Sequence, residues 1–433
     1  MEGALRSRDF RLLVAASGLS SLGDELALIA LTLKVAATHS GLAVAALLLA
    51  GLLPLVLFAP AAGVIVDNYE TTRTLAVASA FQAVAAVGLV FATGLPVILM
   101  LAFLLGTGLA VANPALYTLV PAVVGDQHAT AGNAYLETAR YGGMILGPLL
   151  AGTITASVGS GAALLADAGT FVLIALAALA LTVRRRPDSA AEEGTKGEAR
   201  AGLGVIRRDA LLVMAFTVFA AVILFAAMDN VAEVFFAQEN LMAGAWGYGL
   251  LASAWLGGLV IGAALIARRL PDRRLVPALL GASIVLGVAV GAAAAIAVLI
   301  PALVLFAVGG AANGVQSVSM RSLIVHRVED RYRGRVFAAY GGVANGMQLV
   351  ATAMAGGMLV VLSGRAVLMI GGVGCAAAGL LGVLWYRLLP AEVREAPDVE
   401  SEPPGRHVHV AVPESDPVMR LPDAPPVDAT SDR

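Results

Sequence analysis

The sequence is poor in charge, in lysine and in cysteine. Only 13% of its 433 residues are charged and 59% are hydrophobic. Soluble proteins carry roughly 25% charged residues. A chain this apolar does not cover its surface with polar groups in water, which argues for a polytopic membrane protein. A net charge of -2 gives no footprint for nucleic acid. The single cysteine, Cys375, lies in an apolar run and excludes an intramolecular disulfide. Lysine occurs only at Lys34 and Lys196 among 28 basic residues. That bias points to a GC-rich bacterial genome and so to a bacterial inner membrane. No Asn-x-Ser/Thr sequon occurs. No nucleotide loop, catalytic triad or metal-ligand spacing appears, and His407-Val-His409 is too sparse for a metal site. An enzyme, a cofactor and a metal are therefore not expected.

Long apolar runs are abundant. A spanning helix needs about 20 mostly apolar residues. About twelve fit, over 11–37, 42–66, 73–93, 97–120, 131–157, 162–183, 211–237, 247–267, 275–297, 300–322, 336–362 and 366–389. Ser40-Gly41, Gly94-Leu95-Pro96, Gly159-Ser160-Gly161 and Ser363-Gly364 punctuate them. No alternating runs of about ten residues recur, so a closed barrel is excluded. The expected fold is all-α, with twelve transmembrane helices.

Charge sets orientation. Arg6/Arg8/Arg11, Arg73, Arg184–Arg186, Arg207-Arg208, Arg268-Arg269, Arg273-Arg274 and Arg327/Arg331/Arg333/Arg335 fall on one side if the spans alternate. Arg365 is the exception, and Lys34 lies at a span end. The positive-inside rule then places both termini in the cytoplasm.

The polar segment 184–210 divides the spans six and six. The expected units are an N-terminal half (1–183), a central cytoplasmic loop (184–210), a C-terminal half (211–389) and a tail (390–433). The halves repeat weakly: Asn113-Pro114 matches Asn313-Gly314, and Gly142-Gly143 matches Gly341-Gly342. The tail holds nine of the 19 prolines and many acids. It lacks the apolar content for a core and is expected to be disordered.

Three motifs carry a family resemblance. Between spans 2 and 3 runs Gly63-Val-Ile-Val-Asp67-Asn-Tyr-Glu-Thr-Thr-Arg73, a turn with opposite charges between apolar stretches. Span 5 contains Gly143-Met-Ile-Leu-Gly147-Pro148-Leu-Leu-Ala-Gly152, whose glycines clear one broad helical face for close packing. Arg333-Gly334-Arg335 opens span 11. The first resembles the loop between helices 2 and 3 of the major facilitator superfamily, and the second its exporters' glycine-proline motif. With Asn133-Ala134, the third looks like the branch of macrolide-efflux proteins and the enterobactin exporter. The resemblance implies two parallel six-helix repeats with a midplane site between them. It also implies gating residues Gly63, Asp67 and Arg73, with Asp67 docking on Arg333-Gly-Arg335 when the cytoplasmic side closes. Asn68, Thr71 and Thr72 stand where the family usually has basic residues.

Charges inside spans each cost about 2.5–3.5 kcal/mol on insertion scales, and mark function. Asp24 and Glu25 fall in span 1, Glu137 and Arg140 in span 5, Asp229 and Glu233 in span 7. No Lys or Arg occurs between Arg73 and Arg140. Arg140 is thus the deep cation of the first half, with Asp24, Glu25 or Glu137 as partner. Either it is a structural ion pair or a proton-linked switch. Asp229 is a candidate for the cavity. Glu233 is expected to snorkel outward and Asp167 to be solvated. Asn113, Tyr117, Tyr141, Trp255, Asn345 and Gln348 are candidate cavity residues.

The resulting expectation is a monomeric, proton-coupled exporter of a hydrophobic or amphiphilic small molecule (a drug, macrolide or siderophore), with lipid and protons as its other partners. The alternatives are an uptake transporter and a non-transporting membrane sensor or assembly factor on the same fold.

Overall fold

A computed structural model describes residues 7–184 and 198–394. The described residues are helical with short connections. Span 1 is α1 (Arg8–Ala36). Span 2 is α2 (Gly41–Leu57) with α3 (Ala59–Asn68). Spans 3 to 6 are α4 (Thr71–Phe91), α5 (Leu95–Val124), α6 (Ala129–Val158) and α7 (Ser160–Ala180). A connecting helix follows, α8 (Glu198–Ile206). Span 7 is α9 (Ala210–Ala226) with α10 (Asp229–Phe235) and a π turn over Phe236–Asn240. Spans 8 to 12 are α11 (Gly244–Ile261), α12 (Leu275–Ile296), α13 (Leu299–Arg327), α14 (Asp330–Met358) and α15 (Gly364–Leu388). A short α16 (Ala391–Arg394) ends the described chain.

Local chemistry sets several boundaries. Ser7 caps α1 by accepting from the Phe10 N–H at 3.1 Å. Asp209 caps α9 by accepting from Leu211 and Leu212, and Ser363 caps α15 through Ala366. A 29-residue helix such as α1 is about 43 Å long, enough to cross a hydrocarbon layer of about 30 Å.

Among the described residues, ten helices have the length and apolarity of a span, and eleven if the pair in span 2, bent by 56°, counts as one. All twelve expected segments are helical. The twelfth candidate, α14, has the length but not the apolarity, because Arg331, Arg333 and Arg335 open it and Asn345 and Gln348 follow. Large apolar side chains cover the outside: Val77, Val84 and Phe91 repeat down one face of α4, and Leu380, Leu384 and Leu388 down α15. Such a belt is stable against lipid rather than water.

Two expectations need correction. The run Gly63–Asn68 is helical within α3, so only Tyr69 and Glu70 connect spans 2 and 3. The central loop holds α8 near its end. Arg6, Arg185, Arg186 and the tail beyond Arg394 lie outside the described residues.

Polar ties gather the loops at the end holding the described termini, here the terminal end. Asp9 accepts from the Thr182 and Val183 N–H groups at 2.8 and 3.1 Å. Arg184 donates to Glu70 at 2.8 Å. Arg327 pairs with Asp209 at 3.1 Å and donates to the Val393 carbonyl. At the opposite end, Lys34 donates to the Leu89 carbonyl at 2.7 Å, where span 3 ends. Arg365 donates to the Ala295 carbonyl at 2.7 Å, where span 9 ends. The two cations that depart from the charge bias thus cap equivalent helices of the two halves.

Candidate functional site

The glycine-proline motif of span 5 faces two partners. Gly143 abuts Gly18, Ser21 and Leu22 of span 1. A Cβ on Gly147 would stand 3.1 Å from the Leu22 carbonyl oxygen and 3.2 Å from Glu25 Cγ. Further along, the Pro148 carbonyl meets Gly249 of span 8. A Cβ on Gly152 would lie 2.6 Å from the Ala245 carbonyl oxygen. Ser253 of span 8 donates to the Ile145 carbonyl at 2.8 Å. One helix therefore packs on its own half through Gly143 and Gly147 and on the other half through Pro148 and Gly152. Spans 2 and 11 make a matching contact, where Gly41 meets Leu359 and Gly356 meets Ala45. These two contacts between the halves lie toward the opposite end.

A line of carboxylates runs along these contacts. Asp167 of α7 is fully buried, and neither of its carboxylate oxygens has a hydrogen-bond partner. It packs on Gly23, where a Cβ would stand 2.7 Å from its Oδ1, within electrostatic reach of Asp24. Glu25 is within electrostatic reach of Asp24 and of Glu233 of α10. Glu233 faces Asp229 one turn earlier, is 8% exposed, and has no partner at Oε1. Tyr248 of α11 lies beside Thr32 and within electrostatic reach of Glu233, Glu25 and Asp229, while Cys375 of α15 lines one pocket with Asp229. The expectations for two acids are corrected here. Asp167 is not solvated, because Gly23 lets α1 close over it. Glu233 does not snorkel, because α10 packs against spans 1, 2, 11 and 12.

Arg140 takes Glu137 as its partner, with the guanidinium 3.5 Å from Oε1. Sequence reading missed a third member. Arg140 donates to the Tyr117 hydroxyl, which donates to Glu137. The guanidinium carbon also sits 5.5 Å from the Tyr117 ring centroid. Asp24 is within electrostatic reach of Arg140, whereas Glu25 packs on Gly147. The ion pair is 28% and 39% exposed. Exposed pairs one helical turn apart contribute only about 0.3–0.5 kcal/mol, so stability alone is a poor reason for this cluster.

At the terminal end, Asp67 is partly exposed. Among the described residues it has no hydrogen-bond or ion-pair partner. Arg73 pairs with Glu70 at 3.1 Å. Glu70 also accepts from Thr72 at 2.9 Å. The Thr72 hydroxyl and Arg184 hold the Glu70 carboxyl below its ordinary value. Arg333 pairs with Asp330 and donates to the Val328 carbonyl. Arg335 lies over the Tyr332 ring, and its main-chain carbonyl is covered by Gly202 of α8. Gly63 faces open space.

The remaining candidates scatter. Asn113 lines a pocket with Ser20, Ser79 and Gln82, all of the first half. Trp255 packs on Gly309 and Gly310 and meets Phe306 edge-on. Tyr141 and Asn345 are exposed, and Gln348 is half-buried.

Two six-span halves that meet around buried charge are the architecture of an alternating-access transporter. The chain belongs to the major facilitator superfamily: the Major Facilitator Superfamily profile matches residues 13–309. No curated protein matches. The fold is similar to a point mutant of the nucleoside transporter NupG, with a TM-score of 0.73 and 11% identity over 87% of this chain and all of that one. It is also similar to a bacterial homologue of the iron transporter ferroportin in its inward-facing state, with a TM-score of 0.65 and 15% identity over 87% and 98%. A third likeness is to a bacterial homologue of the human lysosomal transporter Spinster, inward-facing and unoccupied, with a TM-score of 0.61 and 14% identity over 88% and 95%. At such identities the likeness is one of fold.

Proposed function

We propose that the chain is a proton-coupled exporter of hydrophobic or amphiphilic small molecules, working by alternating access with both termini in the cytoplasm of a bacterium. The observation that carries this is the placement of the span 5 motif. Gly147 seats the intramembrane acid Glu25, and its neighbour Pro148 touches the other half at Gly249. A titratable group and a contact between halves that opens and closes are thus one turn of one helix. That is the coupling an exporter needs, since a ligand shifts an equilibrium only by binding one state better. Arg140, Glu137, Asp24 and Asp229 are the other proposed coupling groups. Gly63, Asp67, Arg73, Arg333 and Arg335 gate the terminal end. In this reading the structure is the inward-facing state, with Asp67 unpaired. The test is accumulation of a labelled lipophilic drug, a macrolide and a siderophore in cells with and without the protein. Accumulation should fall with the protein present and recover with a protonophore. Protein-dependent uptake would favour an importer, and no effect on any compound would favour a sensor.

A further inference from the structure

We infer that the first half holds an internal water-binding site, enclosed by spans 1, 3, 4 and 6 and apart from the contacts between the halves. A cavity lies there, lined by Ser20 of α1, Ser79 and Gln82 of α4, Asn113 of α5, and the apolar Leu75 and Phe171. Ser79 and Gln82 are 1% and 2% exposed, whereas Ser20 and Asn113 are half-buried. Among the described residues, none of these four polar side chains hydrogen-bonds to a protein group. Gly108 of α5 makes room for Gln82, since a Cβ there would stand 3.0 Å from the Gln82 amide carbon. The second half shows the same seam closed directly. Between spans 9 and 10, which repeat spans 3 and 4, the buried Gln316 amide donates to the buried Ser283 hydroxyl at 2.9 Å. That hydroxyl donates in turn to the Leu279 carbonyl at 2.7 Å.

A buried polar group left without a partner costs about 1–3 kcal/mol, and lipid offers it none. Two such side chains on one cavity therefore specify a ligand that forms hydrogen bonds. The cavity's free volume of about 10 Å³ admits one water and little else. Water suits the lining, since it donates twice and accepts twice, and buried waters make about three hydrogen bonds. Among the described residues, no acid or base lines the cavity, so an ion there would lack a counter-charge. The water does for spans 3 and 4 what the Gln316–Ser283 bond does for spans 9 and 10. Asn113, expected in the substrate cavity, serves the inside of one half. It precedes Pro114, which has no N–H for the Ala110 carbonyl, so the site sits where the hydrogen-bond ladder of span 4 is already interrupted.

The test is hydroxyl-radical footprinting of the full-length protein in nanodiscs. Ionising X-rays make radicals from water wherever it sits, bound water included, and these oxidise the side chains beside it. Phe171 and Leu75, each 2% exposed, should be oxidised. Phe306, fully buried on span 10, should not. Ser79→Val fills the cavity and removes one partner, so the oxidation of Phe171 and Leu75 should be lost. Ser20→Ala removes a partner at the half-buried rim and should reduce that oxidation. It serves where the valine variant fails to fold. Wild-type protein with Phe171 and Leu75 no more oxidised than Phe306 overturns the site, because the cavity is then dry. Oxidation equal in wild type and in both variants also overturns it, because the radicals then come from bulk water. Neither outcome bears on the transport reading.

Discussion

Glu25 lies over Gly147, so close that a Cβ on the glycine would stand 3.2 Å from its Cγ and 3.1 Å from the Leu22 carbonyl. Main chain on one side and the acid on the other leave no room to yield. Gly147→Ala should cost about 1–3 kcal/mol by overpacking and displace Glu25. Gly142 lies in the same helix but faces open space. Gly142→Ala should leave both stability and transport unchanged. Thermal unfolding and drug accumulation of the pair check this. Equal effects would mean that the helix, not the seat of Glu25, is sensitive.

Arg140 holds Glu137 and Tyr117 together near Asp24. Arg140→Ala should abolish gradient-driven transport while substrate exchange survives. Glu137→Gln combined with it should restore folding but not driven flux. Concentrative export by the double variant would make the cluster structural. Coupling would then lie with the acids between the halves.

Asp67 has no partner among the described residues in this state, so Asp67→Asn should leave its stability unchanged. It removes a contact expected only when the terminal end closes. The variant should transport less and show greater cysteine accessibility at that end. Unchanged flux and labelling would reduce Asp67 to a surface acid.

Lys34 caps span 3 through the Leu89 and Val90 carbonyls. Lys34→Met should destabilise by about 1 kcal/mol, the scale of a cation at a helix C-terminus. Lys34→Arg should recover most of it. Thermal unfolding in detergent measures both.

Glu70 is held below its ordinary carboxylate value by Thr72 and Arg184. A lowered folded value stabilises the protein above the unfolded value and is lost as pH falls through the folded one. Wild type should therefore lose stability as pH falls below the ordinary glutamate value of 4.5, and Glu70→Gln should lose less on that limb. Unfolding curves for the two, measured from neutral to acid pH, decide it.

The spans, their punctuation and the repeat were legible because lipid forces each span to satisfy its own backbone. The glycine-proline motif was legible as a packing face, and its division between span 1 and span 8 was not. Spacing within one helix does not say which neighbours a face meets. Asp167 and Glu233 were misjudged for the same reason. Their burial depends on Gly23, far from Asp167 in the chain, and on α1 lying against α10. Arg140 was recognised as the deep cation because no other stood nearby, but Tyr117 reaches it only through the packing of spans 4 and 5.

The account stands most directly on whether the two ends move in opposite senses. Distances between labels at Tyr69→Cys and Arg331→Cys report the terminal end, and Val158→Cys and Met242→Cys the opposite end. In nanodiscs, a change in pH should lengthen one distance as it shortens the other. Both distances fixed, or both lengthening together, would contradict it.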